Sequence, residues 1–236
     1  MIKKIKKQMI VVQKNELIQN SFYKHLTLND MKLLKLFISK INNNQTLFSD
    51  FYIINYKELD FINLHKSPQR YSLTLESLKR LSSTFISIEN KKSIKTIGLI
   101  QNNFTFNKYE TQFCISFHND LKDFLLVLKE KFTSYDLEHI RKITSKSTLK
   151  LYEYLKSFNN TLHLIELRLD TLKTILEVDL DDYKLYGNFK QKVLNKSINE
   201  INKYTDLGVR MEEVKENRKV IKIVLIFDLK DKISIK

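Results

Sequence analysis

The sequence predicts an α+β fold with a winged helix-turn-helix in its second half, and three observations predict it. First, residues 188–204 place Phe189, Val193, Leu194, Ile198, Ile201 and Tyr204 on one half of a helical wheel drawn at about 100° per residue. The other half carries Gln191, Lys192, Asn195, Lys196, Asn199, Asn202 and Lys203, while Glu200, the only acid, sits near the apolar boundary. Second, two β-patterned runs follow this helix, 209–214 and 220–229, joined by Lys215-Glu216-Asn217-Arg218-Lys219. Third, the first half repeats the plan in pattern, though not in identity: helices, then a β element with a basic tip. Amides can pair with an adenine edge and lysines with phosphate or guanine, so the polar face of the 188–204 helix suits the DNA major groove. A hairpin whose tip holds Lys215, Arg218 and Lys219 suits the phosphate backbone beside it.

Composition sets the frame for these elements. A chain of 236 residues with 42% hydrophobic residues can fold as one large or two small domains, and one proline with three glycines leaves no flexible linker between them. A formal charge of +14 favours a polyanionic partner, nucleic acid ahead of an acidic membrane surface. The lone Cys114 lies in a strand-like run and reads as a buried thiol in a reducing compartment. The apolar run 9–12 is too short for a signal peptide, and no stretch approaches the roughly 20 apolar residues of a membrane span. The expected location is the cytoplasm, with no membrane partner.

Taken in order, residues 10–18 read as a strand running into a turn. Thr27 or Asn29 can cap a helix over 30–41, with Met31, Leu34, Phe37, Ile38 and Ile41 inward and Lys32, Lys35 and Lys40 outward. A short β-prone run at 51–55 precedes a helical stretch at 56–64. Ser67-Pro68 starts the next helix, over 69–83, with Tyr71, Leu75, Leu78 and Leu81 on one side. Arg70, Ser72, Lys79 and Arg80 are its candidate DNA contacts, although Glu76 interrupts the face. Residues 86–89, 94–106 and 112–117 alternate as strands, with Lys91, Lys92 and Lys95 near a turn, and 120–131 reads as a helix closing the unit. In the second half, Thr144 or Ser145 caps a helix over 146–158 that buries Leu149, Tyr152 and Leu155, 161–167 alternates as a strand, and Asp170 caps a helix over 171–176. Asp179, Asp181 and Asp182 form an acidic loop before the long helix, and Thr205-Asp206-Leu207-Gly208 stops that helix with a glycine able to take positive φ. Asn217 is the wing residue best able to do the same.

Catalytic chemistry finds little support. A metal-dependent nicking enzyme needs two histidines two residues apart beside a catalytic tyrosine. None of His25, His65, His118, His139 and His163 lies within two residues of another. Gly98, Gly187 and Gly208 make no phosphate-binding loop, and the acidic loop lacks the rest of a calcium-binding pattern. The expectation is a non-enzyme with no cofactor and no metal.

Several stretches together resemble the iteron-binding plasmid replication initiators, the Rep_3 or RepE-like family. They are Val11-Val12-Gln13-Lys14-Asn15-Glu16-Leu17-Ile18, Phe132-Thr133-Ser134-Tyr135-Asp136-Leu137, Thr144-Ser145-Lys146 with Leu151-Tyr152-Glu153-Tyr154-Leu155, Phe189-Lys190-Gln191-Lys192-Val193-Leu194 with Ile198-Asn199-Glu200-Ile201-Asn202, and Arg218-Lys219-Val220 leading to Ile226-Phe227. They span 10–229 in the family's order. The resemblance implies two winged-helix domains in tandem, 10–130 for added DNA contacts and dimerisation and 131–236 as the main DNA reader. It also implies double-stranded DNA as partner, as origin iterons and a promoter inverted repeat, with monomer and homodimer forms. Host initiator and replicative helicase would be further partners, and the dimer would repress its own promoter. Carried onto this chain, the contacts are Lys190, Lys192, Asn195, Lys196, Asn199 and Lys203 on the helix and Lys215, Arg218 and Lys219 on the wing. A transcriptional repressor without a replication role is the alternative reading, and an origin-nicking nuclease the remoter one.

Overall fold

In the computed structural model the described residues are 9–23, 25–62, 68–89, 94–101, 104–107, 111–179 and 181–233. The first half runs β1 (Ile10–Lys14), α1 (Asn15–Asn20), α2 (Leu28–Ile38), β2 (Tyr52–Asn55), a 3-10 helix (Tyr56–Ile62), α3 (Arg70–Ser82), β3 (Phe85–Glu89), β4 (Ile94–Gly98), β5 (Thr105–Asn107), β6 (Gln112–Ile115) and α4 (Lys122–Leu125). The second runs β7 (Phe132–Asp136), α5 (Glu138–Arg141), α6 (Lys146–Lys156), β8 (Leu164–Arg168), α7 (Leu169–Ile175), α8 (Tyr186–Phe189), a π-helical stretch (Lys190–Asn195), α9 (Lys196–Tyr204), β9 (Leu207–Glu216), β10 (Lys219–Leu229) and α10 (Lys230–Ile233). Antiparallel pairs order the strands as β2-β6-β5 and β3-β4 in the first half and β8-β10-β9 in the second. β1 pairs with β7, Val11 opposite Tyr135, so residues on either side of the boundary expected at 130/131 share one sheet.

Helix starts follow local chemistry. Thr27 and Asp30 form a reciprocal capping box at α2: the Thr27 hydroxyl accepts from the Asp30 amide at 3.2 Å and the Asp30 carboxylate from the Thr27 amide at 2.8 Å. At α6 the Ser145 hydroxyl accepts from the Thr148 amide at 3.1 Å. The apolar faces then merge into one core reaching from Val11 through Phe37, Phe113 and Tyr152 to Phe227.

Several expectations are corrected by contacts distant in sequence. Lys32 and Lys35, expected outward, are both 2% exposed. Lys32 Nζ donates to the Arg141 and Ile143 carbonyls at 2.8 and 2.7 Å, and burial pushes its pKa down to about 8. Lys35 Nζ lies 2.9 Å from Glu153 Oε1, which also accepts from Gln13 Nε2 at 2.6 Å and the Tyr135 hydroxyl at 2.7 Å. This buried, hydrogen-bonded charge cluster joins β1 and α2 to β7 and α6.

The helix expected over 120–131 shortens to a 3-10 turn and α4, because the chain turns through Val127 (φ 48°) and Lys131 (φ 53°) to reach β7. The 94–106 run is broken into β4 and β5, while Lys91 and Lys92 lie outside the described residues and Lys95 is exposed. Arg168, not Asp170, occupies the N-cap of α7; Asp170 instead accepts from the Thr171 amide at 2.8 Å within the first turn. Gly208 lies within β9 and no described glycine has positive φ; the helix before it ends at Thr205, in extended backbone.

Candidate nucleic-acid interface

Residues 186–204 form one continuous helix, called here the reader helix, made of α8, the π stretch and α9. Phe189, Leu194 and Ile201 are fully buried, and Val193 and Ile198 nearly so. A turn closed by i→i+5 bonds holds about one more residue than an α turn, which widens the apolar stripe so that Val193 and Leu194 are both inside. It also rotates Lys190 away from the apolar half where a uniform 100° wheel places it. Across the helix Gln191, Lys192, Lys196, Asn199, Asn202 and Lys203 are exposed and Asn195 is half-buried. Glu200 turns off this ridge, its carboxylate accepting from the Thr144 amide at 2.9 Å and from the Thr144 hydroxyl. The ridge therefore presents amides and ammonium groups without an acid. Behind it, the Thr148 hydroxyl on α6 donates to Ser197 at 3.1 Å and fixes the helix to the body.

The wing is a two-residue hairpin. Glu216 pairs with Lys219 across Asn217 (φ 47°) and Arg218 (φ 68°), the two positive φ values of a type I′ turn, whose twist matches that of the strands. The positive φ at Arg218 was not read from the sequence, since arginine carries no signal for it. Lys215, Arg218 and Lys219 are all exposed.

Two clamps hold the wing to the reader helix. Asn202 mimics a paired strand, its Nδ2 donating to the Val209 carbonyl at 2.8 Å and its Oδ1 accepting from the Val209 amide at 2.6 Å. At the other end Glu213 on β9 meets Lys190 Nζ at 2.7 Å, the Tyr186 hydroxyl at 2.7 Å and Lys215 Nζ at 3.4 Å. These partners, Lys190 first, hold the Glu213 carboxyl down at about 2, against an opposing effect of burial. Burial and the same carboxylate push the Tyr186 hydroxyl up.

The structure thus gathers Lys192, Asn195, Lys196, Asn199 and Lys203 on one ridge; Lys190 stands at its edge, paired with Glu213, which also meets Lys215, while Arg218 and Lys219 are exposed further out at the tip of the wing. The first-half contacts fare differently. Arg70 stacks on Tyr56, its Cζ 3.2 Å from the ring centroid, and lies 3.5 Å from Asp60. Arg80 forks onto the fully buried Asp30 through Nε at 2.8 Å and Nη2 at 2.9 Å. Burial would raise the Asp30 carboxyl, but Arg80, Ser77 and Thr27 together hold it below its ordinary value. Both guanidinium groups, expected to face DNA, are engaged within the fold. Ser72 is exposed with its hydroxyl on the Gln69 carbonyl at 2.8 Å, and Lys79 is exposed. The clamping roles of Asn202 and Glu213 were also not read from the sequence, because neither residue type marks its partner.

Among the described residues no group of three or more His, Cys, Asp or Glu side chains could hold a metal ion. No helix among them is long and apolar enough to cross a membrane.

Two family models match the chain, one described as Initiator Replication protein, WH1, over residues 10–156 and one as Initiator Rep protein, WH2, over residues 168–227. The fold is similar to that of the Pi initiator protein in its crystal structure in complex with iteron DNA, with a TM-score of 0.76 and 21% identity over 96% of this chain and 100% of that one. Domains 2 and 3 of RctB are a more distant likeness, with a TM-score of 0.50 and 12% identity over 86% of this chain and 82% of that one. No curated protein sequence matches.

Proposed function

The chain belongs to the initiator replication protein family, with its two winged-helix domains WH1 and WH2, and on that premise we propose that it binds direct repeats in double-stranded DNA at a plasmid origin and so initiates replication. The reader helix enters the major groove and the wing follows the phosphate backbone, as in other winged-helix readers. The observation that carries this reading is the acid-free ridge: Glu200 is drawn away to Thr144, so Lys192, Asn195, Lys196, Asn199 and Lys203 meet DNA without a repelling carboxylate. The iteron complex of the similarly folded Pi initiator supports the choice of direct repeats.

On the same reading the protein works by binding, without a catalytic step of its own, in the cytoplasm. The domain of residues 10–130 adds DNA contacts and a dimer interface, and that of 131–236 does most of the reading. Monomers engage the origin with the host initiator and replicative helicase, and dimers repress the protein's own promoter at an inverted repeat. The test is footprinting on the nucleotide sequence flanking the gene. Protection of an array of direct repeats supports the initiator; protection confined to an inverted repeat at the promoter supports a repressor without a replication role. Incubation of supercoiled origin DNA with Mg²⁺ or Mn²⁺ checks the absence of catalysis, since a covalent tyrosine adduct would contradict it.

A further inference from the structure

The amides of the reader helix have two fates. Asn202 is engaged by both of its polar atoms on the Val209 backbone. Gln191, Asn195 and Asn199 have no side-chain hydrogen-bond partner among the described residues, and they stand four and eight residues apart along the ridge, Gln191 and Asn199 exposed and Asn195 half-buried between them. The π stretch brings Gln191 into this line. In a purely α-helical turn of about 3.6 residues, Gln191 would lie over Leu194 and Asn195, at the margin of the core. With about one residue more in the turn, it lies over Asn195 and Lys196, on the outer face. A side chain that the wheel places with the ridge is thereby centred on it.

Three unpartnered amides at this spacing have a specific chemical match. An amide carbonyl accepts from the adenine N6 amino group while its NH₂ donates to adenine N7. Guanine shows two acceptors at that edge, so the amide carbonyl would face O6. Successive rungs rise by about 6 Å along the helix, close to two base-pair steps of about 3.4 Å. An asparagine-rich composition does not by itself explain the row, because α3, the helix of the first half that was also expected to reach DNA, has no amide in its whole length.

We propose that Gln191, Asn195 and Asn199 form an adenine-reading ladder, and that the repeat this protein recognises carries A·T pairs at up to three positions within about five base pairs. Gln191 is the specificity-determining residue added here. Lys196, one position further along than the second rung, holds a flanking phosphate. The inference rests on the major-groove reading of the reader helix given above.

The experiment is selection of duplexes from a random library with the full-length protein, followed by titration of the selected duplex and of a random one. Adenines are expected at the ladder positions. Gln191→Ala should weaken binding to the selected duplex by roughly 5- to 150-fold, leave random DNA within about twofold, and relax the preference at one outer position only. Replacing the adenine there by 7-deazaadenine, which removes N7 alone, should weaken wild-type binding and cost Gln191→Ala nothing further. Three outcomes overturn the ladder while leaving the groove assignment intact: G·C pairs at these positions, an enriched site indifferent to 7-deazaadenine, or equal losses for Gln191→Ala on both duplexes while Lys192→Ala still discriminates. If no duplex is enriched, the groove assignment falls with it.

Discussion

α3 and the reader helix carry similar sets of cations and put them to different uses. On α3, Arg70 is stacked on Tyr56 and Arg80 is locked to Asp30, which leaves Lys79 exposed beside an exposed Glu76. On the reader helix, among the described residues, only Lys190 is in an ion pair, Lys192 and Lys196 face solvent, and the one acid is turned to Thr144. The difference teaches that a basic helix can offer its cations to a polyanion only where the fold leaves them unpaired with carboxylates. Counting lysines and arginines along the chain treats the two helices as equivalents. Counting unpaired ones separates a structural helix from a reading one.

The largest effect expected from this contrast is on stability. Arg80→Ala leaves a fully buried carboxylate without its counter-ion and should lower unfolding free energy by about 3 kcal/mol in urea titration, while the folded protein binds DNA within about twofold of wild type. Strong loss of DNA affinity with unchanged stability would erase the distinction between the helices. The converse pair is Lys192→Ala and Asn195→Ala, each expected to weaken binding to the recognised repeat by about 1 to 3 kcal/mol if it meets a base edge, with stability within about 0.5 kcal/mol of wild type.

The Glu213 clamp sharpens the comparison from the wing side. Its carboxyl is held down at about 2, so its contribution is fully present above the ordinary value of 4.5 and is lost as pH falls from there through about 2. Glu213→Gln should therefore cost about 1 kcal/mol at pH 7, after allowance for solvent screening, and progressively less as the pH approaches 2. A deficit that persists unchanged into acid would mean that packing, and not charge, holds the wing. The smallest effect belongs to Lys219→Ala at the wing tip. It should lower affinity about equally for any duplex and flatten the plot of log affinity against log salt by about one unit.

How much of this was legible in the sequence depended on how local each cause is. Thr27 and Ser145 announce helix starts because a cap needs only its own first turn, and Asn217 announces the wing because positive φ is a property of the residue. The inward faces of α6 and the reader helix were readable from periodicity. Lys32, Lys35, Arg70 and Arg80 were not, because their partners, Arg141, Ile143, Glu153, Asp60, Tyr56 and Asp30, are brought to them only by the tertiary fold. A wheel of uniform turn puts Lys190 on the apolar half, and the π stretch breaks that uniformity. Asn202 looks identical in sequence to Asn195 and Asn199, and only the position of Val209 on β9 separates a clamp from a reader.

The most direct test of the ridge as the reading surface is the ratio of affinities for the recognised repeat and for random duplex, measured at one salt concentration for wild type and for the Lys192→Ala/Asn195→Ala double variant. Loss of the two contacts should reduce that ratio at least tenfold, with random-duplex binding falling only by the share of one lysine. An unchanged ratio, with both affinities reduced in step, would contradict it and leave the helix as a general cationic surface.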